Sequence, residues 1–393
     1  MSATTMTQQV KSNLTQWLVN ENDYPSEGNM HDKLQFLIRY AVLAQSFYNS
    51  QPWEFSVEDS QINVYAKLPH WLKASDPEQR ELYISIGCAL ENLLIAAEHF
   101  RFGHQVSRFP EPGNNTWVAR VTITTLSQSS ALRSPALFGA ITKRHTHHHS
   151  FDPQPLQKEH LQTVKKFMTE EDIWLEVTDD SQTKAKIAQY AAHANTILFA
   201  DEQFRKELSE WARKGVFGIP WFQSVTGKIS TRESGLQGGS TNEQRSKNQT
   251  MKQEYSEKMF LEQTSSEQAL AEKAFTEKAF TEKSLAKRLN QQEQEILQTA
   301  PLLAVLSSPF DNHMIHVIAG QIYEKLCLES ALLGIRCLPL NQLIEVPESR
   351  IGVHELFPSA KGKPLLVFAM GYAQEEMEKE WTPRLPIEQV LHH

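Results

Sequence analysis

Residues 44–55 read AQSFYNSQPWEF, and two periodicities meet in this one short stretch. Upstream, Leu34, Leu37, Ile38, Ala41, Val42 and Ala44 recur at helical spacing, which predicts an amphipathic helix over residues 31–45. Downstream, Trp53, Phe55 and Val57 alternate with polar residues, as do Ile62, Val64 and Ala66. With Glu58-Asp59-Ser60 between them, the two runs read as a β-hairpin. Pro52 sets the chain direction into the first strand, and Trp53 anchors that strand in a core.

Further along, Leu82, Ile86, Leu90, Leu93, Ala97 and Phe100 mark a long helix, and Trp117–Thr124 reads as a strand. A second cycle opens near Ser134 with ALFGAI, followed by the basic stretch Lys143–His149 and a helix from about Leu156 to Phe167. Ile173, Leu175 and Val177 form a short strand, and helices follow near 183–199 and 202–214. The last third has a helix near 316–333, a loop at Cys337–Leu340, a strand at Leu365–Met370 and an irregular tail.

Residues 226–298 stand apart. The first part, TGKISTRESGLQGGSTNEQRSKNQT, is polar and rich in Gly and Ser, the composition of a loop. The second part has strong helix formers and the short duplication AFTEKAFTEK at 274–283. A five-residue period turns roughly 140° per repeat around an α-helix, so Phe275 and Phe280 do not share a face. That argues for a solvated helix, either a lid over a site or a surface excursion.

Charge and cysteine content exclude several classes. The chain has 393 residues and a formal net charge of −8, and sequence-independent nucleic-acid binding needs a basic face instead. Cys88, Cys327 and Cys337 have no CxxC spacing, so neither a disulfide framework nor a zinc site is expected. The N-terminus MSATTMTQQVKSN lacks a basic start and an apolar stretch, and no run approaches a membrane span. The expectation is a cytoplasmic protein with neither nucleic acid nor membrane as partner.

No GxGxxG or Walker-type loop is present, so a Rossmann or P-loop solution is not supported. Other parts of the sequence suit a different cofactor, flavin mononucleotide (FMN). Asn49 and Gln51 carry paired donors and acceptors that match an imide edge, although a polar helix-to-strand turn before a buried Trp is the plainer reading. Lys143, Arg144, His145 and Thr146 gather cations and a hydroxyl in one turn of chain, as a phosphate requires. Each charge-assisted bond there would contribute roughly 1.5–3 kcal/mol. His145 and His147–His149 would make that affinity weaken as pH rises through the histidine range. Metal binding by these histidines is the weaker alternative, since no nearby acidic or cysteine ligand completes a site, and no metal is expected.

The Ala44–Phe55 segment resembles the A-P-S-x-x-N-x-Q-P-W-x-F signature of the nitroreductase family, with Gln45 where that family usually has Pro. Four more stretches resemble the Acg-like FMN-binding branch: residues 76–97, 143–156, 329–350 and 371–391. The resemblance implies an α+β nitroreductase-like fold, an antiparallel-rich mixed sheet wrapped by helices. It implies FMN held by Ser46, Asn49 and Gln51 at the ring and by Lys143, Arg144, His145, Thr146 and Arg384 at the phosphate. Pro339 and Leu340 would pass the reactive face of the ring.

In the family the basic opening and the N-x-Q-P-W turn lie in one repeat. Here the first cycle has only the turn and the second only the basic opening. The expectation is a fused tandem duplication: residues 1–133 as one half-repeat, 134–225 and 299–393 as the other, intertwined with it, and 226–298 inserted. Such a chain would be a monomeric pseudo-dimer with one flavin site. It would pass hydride from NADH or NADPH through FMN to a small nitro, quinone-like or other electrophilic acceptor, with no side chain demanded as catalyst. A flavin-storage protein without turnover is the alternative.

Overall fold

The computed structural model describes residues 15–125, 133–166, 169–170, 172–213, 282–358, 361–373 and 382–392. Most of the stretch 226–298, including nearly all of the AFTEK duplication, lies outside the described residues.

The first half runs from helix α1 (Met30–Ala41) into β1 (Trp53–Glu58) and β2 (Gln61–Ala66), then α2 (Arg80–His99), β3 (Phe102–Arg108) and β4 (Trp117–Thr125). Asn29 starts α1 by accepting from the Asp32 amide at 2.9 Å, a side-chain N-cap. The hairpin closes through Asp59 in the left-handed region (φ 52°), and Glu58 pairs with Gln61. The four strands form a sheet in the order β1-β2-β4-β3, with every pair antiparallel.

The second half contains α3 (Ala136–Ile141), α4 (Lys158–Lys165), β5 (Thr169–Glu170), β6 (Ile173–Thr178), α5 (Ser181–Ala200) and α6 (Glu202–Arg213). After the undescribed stretch come α7 (Glu282–Thr299), β7 (Leu302–Ser308), α8 (His313–Leu332), β8 (Ile335–Pro339), α9 (Gln342–Glu345), α10 (Pro347–Leu356) and β9 (Lys363–Tyr372). Its sheet has the order β5-β6-β7-β9-β8, again antiparallel throughout. Leaving out the two-residue β5 and the helices α5 to α7, α9 and α10, the strand–strand–helix–strand–strand succession repeats that of the first half, as does the sheet order.

The α+β class is as expected, but the strands form two separate sheets instead of one mixed sheet. The reason lies in the connections. Each half pairs its own first two and its own last two long strands antiparallel, with a long helix between the pairs, so each sheet forms from its own strands. Residues 337–339, expected as a loop, are the end of β8, and Leu340 follows with its amide donating to Val367 O at 2.8 Å. The strands β3 and β7 went unread in the sequence. Every residue of β7 is buried, so it lacks the alternation that marks a half-exposed strand.

Helices α2 and α8 lie between the sheets. Both are buried over nearly their whole length, so neither shows a strong polar face. They cross where Gly87 meets Gly320. A Cβ on either glycine would come within 3.0 Å of the other's Cα, and would also overlap a carbonyl oxygen: Val317 O for Gly87, Ile84 O for Gly320. The contact is reciprocal, because each glycine sits three residues after the carbonyl that faces its partner.

The hairpin β6–β7 corresponds to β1–β2, but the chain leaves the sheet at Thr178 and returns at Leu302. The excursion is therefore wider than residues 226–298 and includes α5 and α6. Its last helix is not a solvated one: Leu289, Ile296 and Leu297 are buried, and Asn195 of α5 donates to Asn290 Oδ1 at 2.9 Å. After β9 the chain crosses back to the first sheet. Phe55 donates to Val390 O and accepts from the His392 amide, both at 2.7 Å, so the last residues lie along β1.

The helix crossing makes a direct prediction. Gly87→Ala or Gly320→Ala forces two backbones apart and should destabilise the protein by about 1–3 kcal/mol or more. Gly139→Ala in α3, where a Cβ meets nothing within 4 Å, should be neutral or slightly stabilising. Denaturant unfolding of the three variants checks the contrast.

Candidate functional site

The turn after α1 carries unusual backbone strain. Tyr48 (φ 45°), Asn49 (φ 52°) and Gln51 (φ 49°) all occupy the left-handed region within four residues. Asn tolerates this conformation; Tyr and Gln do so at a cost of about 1–3 kcal/mol each unless the surroundings hold them. Here they are held. Ser46 Oγ accepts from the Gln51 amide at 3.0 Å, and Ser85 Oγ of α2 accepts from the Phe47 amide at 3.1 Å. Gln51 Oε1 accepts from the Leu385 amide at 2.7 Å, and Asn49 Nδ2 donates to Pro383 O at 2.9 Å. Arg384 Nη1 then donates to Asn49 Oδ1 at 2.8 Å.

The turn opens onto a cavity of about 170 Å³. Ser46, Phe47, Tyr48 and Asn49 line it from the first half, and Thr146, His148, Leu338, Pro339 and Arg384 from the second. Two helices face it with the same spacing: Glu81, Ile84, Ser85 and Cys88 on α2, and Leu289, Gln292, Glu293 and Ile296 on α7. Positions i, i+3, i+4 and i+7 share one helix face, so each helix offers a continuous stripe. The second stripe belongs to the segment that composition marked as an insert.

Of the residues expected at a flavin, the structure brings Ser46, Asn49, Thr146, Pro339 and Arg384 to this cavity. The others sit elsewhere. Gln51 is buried, its amide engaged with Leu385 and with Pro383 O at 3.3 Å. Lys143 is exposed, and Leu340 is buried behind the wall. Arg144 and His145 line a second, smaller cavity with Cys327, Arg336 and Cys337. Burial, helped by the nearby Arg336 charge, pushes His145 down to about 4. It is therefore neutral across the histidine range, and the expected loss of a His145 cation in that range does not arise.

Arg144 and Arg384 nevertheless come together. Each donates through Nη2 to Leu43 O at 3.3 Å, and Arg144 Nε lies 3.3 Å from Glu324 Oε1. Arg384 also covers the Trp17 ring, 4.7 Å from its centroid. Burial lowers the Arg384 pKa well below the usual guanidinium range; Arg144 adds to this and Glu324 opposes it. Burial likewise raises Glu324, against the pull of the two arginines. Glu324 went unread in the sequence, although a Glu–Lys pair inside the apolar run YEKLCLES was the available signal.

Several polar atoms at the cavity lack a hydrogen-bond partner among the described residues: Arg384 Nε, Glu81 Oε1, Gln292 Oε1 and Asn341 Oδ1. Buried polar atoms are ordinarily paired, so a wall with several orphans is one shaped for a polar ligand. The donor set suits FMN. A guanidinium and the Thr146 and Ser46 hydroxyls fit a phosphate and a polyol chain, while Ile84, Leu338, Pro339 and Leu366 offer an apolar bed to a ring. The cavity is smaller than the roughly 300–1,000 Å³ of ordinary ligand pockets, so a flavin requires its walls to part. Among the described residues no group of three or more His, Cys, Asp or Glu is placed to hold a metal ion.

Two predictions follow from these contacts. Gln51→Ala removes the acceptor for the buried Leu385 amide and should cost about 1–3 kcal/mol, with faster hydrogen exchange at Leu385. Burial also raises Asp76 to about 7 and Glu81 to about 8, so both stay protonated in the folded protein while the unfolded carboxyls ionise near 4. Their contribution to stability is complete below that unfolded value and is lost as pH rises toward about 8. Thermal unfolding across this window should show the decline, and Glu81→Gln should flatten it.

No family profile matches the chain. Curated relatives span it almost end to end: a "Putative NAD(P)H nitroreductase" of Mycobacterium tuberculosis is 22% identical over 377 residues, covering 93% of this chain and 94% of the relative. The "Putative NAD(P)H nitroreductase acg" of the same organism is 25% identical over 211 residues, 51% of this chain and 61% of that protein. Among solved structures, the FMN-dependent nitroreductase NfnB from Mycobacterium smegmatis, in complex with NADPH, is 16% identical with a TM-score of 0.37. It covers 66% of this chain and 97% of that one. Motif and full-length sequence similarity thus agree, and the chain resembles the nitroreductases, Acg-like proteins among them.

Proposed function

We propose that the protein is an FMN-binding oxidoreductase of the nitroreductase type, reducing a small electrophilic acceptor at the expense of NADH or NADPH. The observation that carries this reading is the cavity itself, where Ser46 and Asn49 of the first half meet Thr146, Pro339 and Arg384 of the second. Bound flavin would supply the hydride chemistry, taking two electrons from the nicotinamide and giving them to the acceptor.

The chain's own residues bind and position. Arg384, with its unpartnered Nε, and Thr146 would hold the phosphate; Arg144 supports Arg384 from behind through the shared Leu43 carbonyl. Ser46 fixes the turn, and Asn49 and Gln51 tie it to the C-terminal segment that delivers Arg384. Their role in this reading is indirect: their amides orient the phosphate ligand instead of meeting the ring edge. Lys143 and His145 remain outside the cavity and would act on phosphate only through their surroundings.

The same reading includes a fused duplication that folds as a monomeric pseudo-dimer in the cytoplasm. The repeated sheet order and the reciprocal glycine contact support the duplication. Among the described residues no helix is long and apolar enough to cross a membrane.

One observation favours a second reading, storage of flavin without turnover. The α7 stripe walls the cavity, and Glu293 is tied to Asn195 at 2.7 Å and to Gln342 at 2.8 Å. Stopped-flow mixing with reduced nicotinamide separates the two, since bleaching of the bound flavin requires access. The purified protein is expected to be yellow, with FMN released on denaturation and bleached within the mixing experiment. Arg384→Gln should weaken FMN retention roughly tenfold to a hundredfold. A colourless protein that ignores added FMN would overturn the proposal.

A further inference from the structure

The lining of the cavity is chemically lopsided. At about 1.5 Å per residue, Glu81 and Cys88 stand roughly 10 Å apart along the axis of α2. The charges acting on Cys88 are led by Glu324, with Arg144 opposing it and Glu81 adding to it, and Arg384 feels Arg144 and Glu324. The charges acting on Glu81 are Asp76 and Arg80. The lining therefore carries a guanidinium, Arg384, and one carboxyl group from each of the two helix stripes, Glu81 on α2 and Glu293 on α7.

Once its carboxyl groups ionise, the Glu81–Glu293 side has no donor of its own to offer them. Glu81 is 2% exposed, lines the cavity, and has no partner for Oε1 among the described residues. Gln292 Nε2 donates to His148 O at 3.0 Å, which fixes the amide and leaves its Oε1 without a partner. Glu293 faces the same space from α7. Behind them both carboxyl oxygens of Glu345 are unpartnered, and Glu345 feels Glu81, Asp76 and Glu293. Tyr48 faces the group as well, together with Glu207. The cation acting on this cluster is Arg80, already paired with Glu78 at 2.9 Å and donating to Ile344 O at 3.3 Å.

We propose that this side of the cavity binds the cationic group of the molecule reduced there, an amidinium or ammonium donating to Glu81, Gln292 and Glu293, so that the electron acceptor is an organic cation. Such a group supplies N–H donors to three acceptors at once and a positive charge to a cluster with an excess of carboxyls. A neutral isostere supplies neither the charge nor all the donors. The choice of acceptor rests on the flavin reading above; the recognition of a cation does not.

The cluster also gives the binding a pH signature. Burial holds Asp76 and Glu293 at about 7 and Glu81 at about 8, so near neutral pH a bound cation must displace protons. Affinity should rise between about pH 6 and about pH 8.5, with release of protons to the buffer.

The test is calorimetric titration of the purified full chain with benzamidine and with benzamide, its neutral isostere, across that pH range and in buffers of different ionisation heat. Benzamidine should bind at least roughly tenfold tighter than benzamide, tighten as pH rises, and release protons. Glu81→Gln should abolish most of that preference. Equal binding of the two probes, or an affinity flat with pH, overturns the proposal without reference to any variant. The visible spectrum of the same samples separates the two readings. Cation preference without any flavin uptake leaves the recognition standing and removes the reductase. Flavin uptake without cation preference does the reverse. Where flavin is bound, para-nitrobenzamidine should be reduced with a kcat/KM at least roughly tenfold above that of para-nitrobenzamide.

Discussion

Two backbones come into direct contact where Gly87 of α2 meets Gly320 of α8. Any side chain there would hold the helices apart, and with them the two sheets that each helix carries. The cavity depends on the same contact. Its lining draws on α2 through Glu81, Ile84, Ser85 and Cys88, and on α8 through Tyr323. Cys88, one residue past the crossing, donates through Sγ to Gly320 O at 3.3 Å, so the seam and the cavity wall share a residue. Four residues beyond each glycine stands a buried glutamate: Glu91, bound by Arg133 at 2.8 and 2.9 Å, and Glu324, beside Arg144. A buried carboxylate at each matching position demands a cation, and both cations come from one short stretch, Arg133 and Arg144 on either side of α3.

The second constraint is the turn at residues 46–51. Three left-handed residues in four need support, and the bonds that hold them come from Ser46 within the turn, from Ser85 and from the segment 383–385. Side-chain amides that could have served a ligand instead serve the chain. The positive charge reaches the cavity as a result, because the residue between Pro383 and Leu385 is Arg384.

Much of the architecture was legible in the sequence, because helices and half-exposed strands keep clear periods. The hairpin at 53–66 announced itself this way, the long helices by helical spacing within apolar runs, and the strand at 363–372 as an apolar run alone, since it is buried on both faces. The strand β7 did not, since burial on both faces erases alternation. The site was legible in part. The turn and Thr146, in the basic stretch, could be read from residue type, whereas Arg384 came only from the family resemblance. The α7 wall could not: Leu289, Gln292, Glu293 and Ile296 carry a heptad stripe, but a stripe does not say what it faces. Nor could the Glu81–Glu293 side, where Glu81 sits in a helical pattern that reads as ordinary amphipathicity. His145 shows the opposite failure, a titratable residue whose type promised a cation and whose burial removes it.

The return of the last residues to β1 has a consequence for the order of assembly. Gln51 is made long before its partner: the amide that its side chain accepts belongs to Leu385, 334 residues further along the chain. A nascent chain can therefore build the first sheet long before it can close the turn beside it. The pocket comes into being only after residues 383–385 have been made, and that segment acts as the latch on a site whose other parts have long been in place.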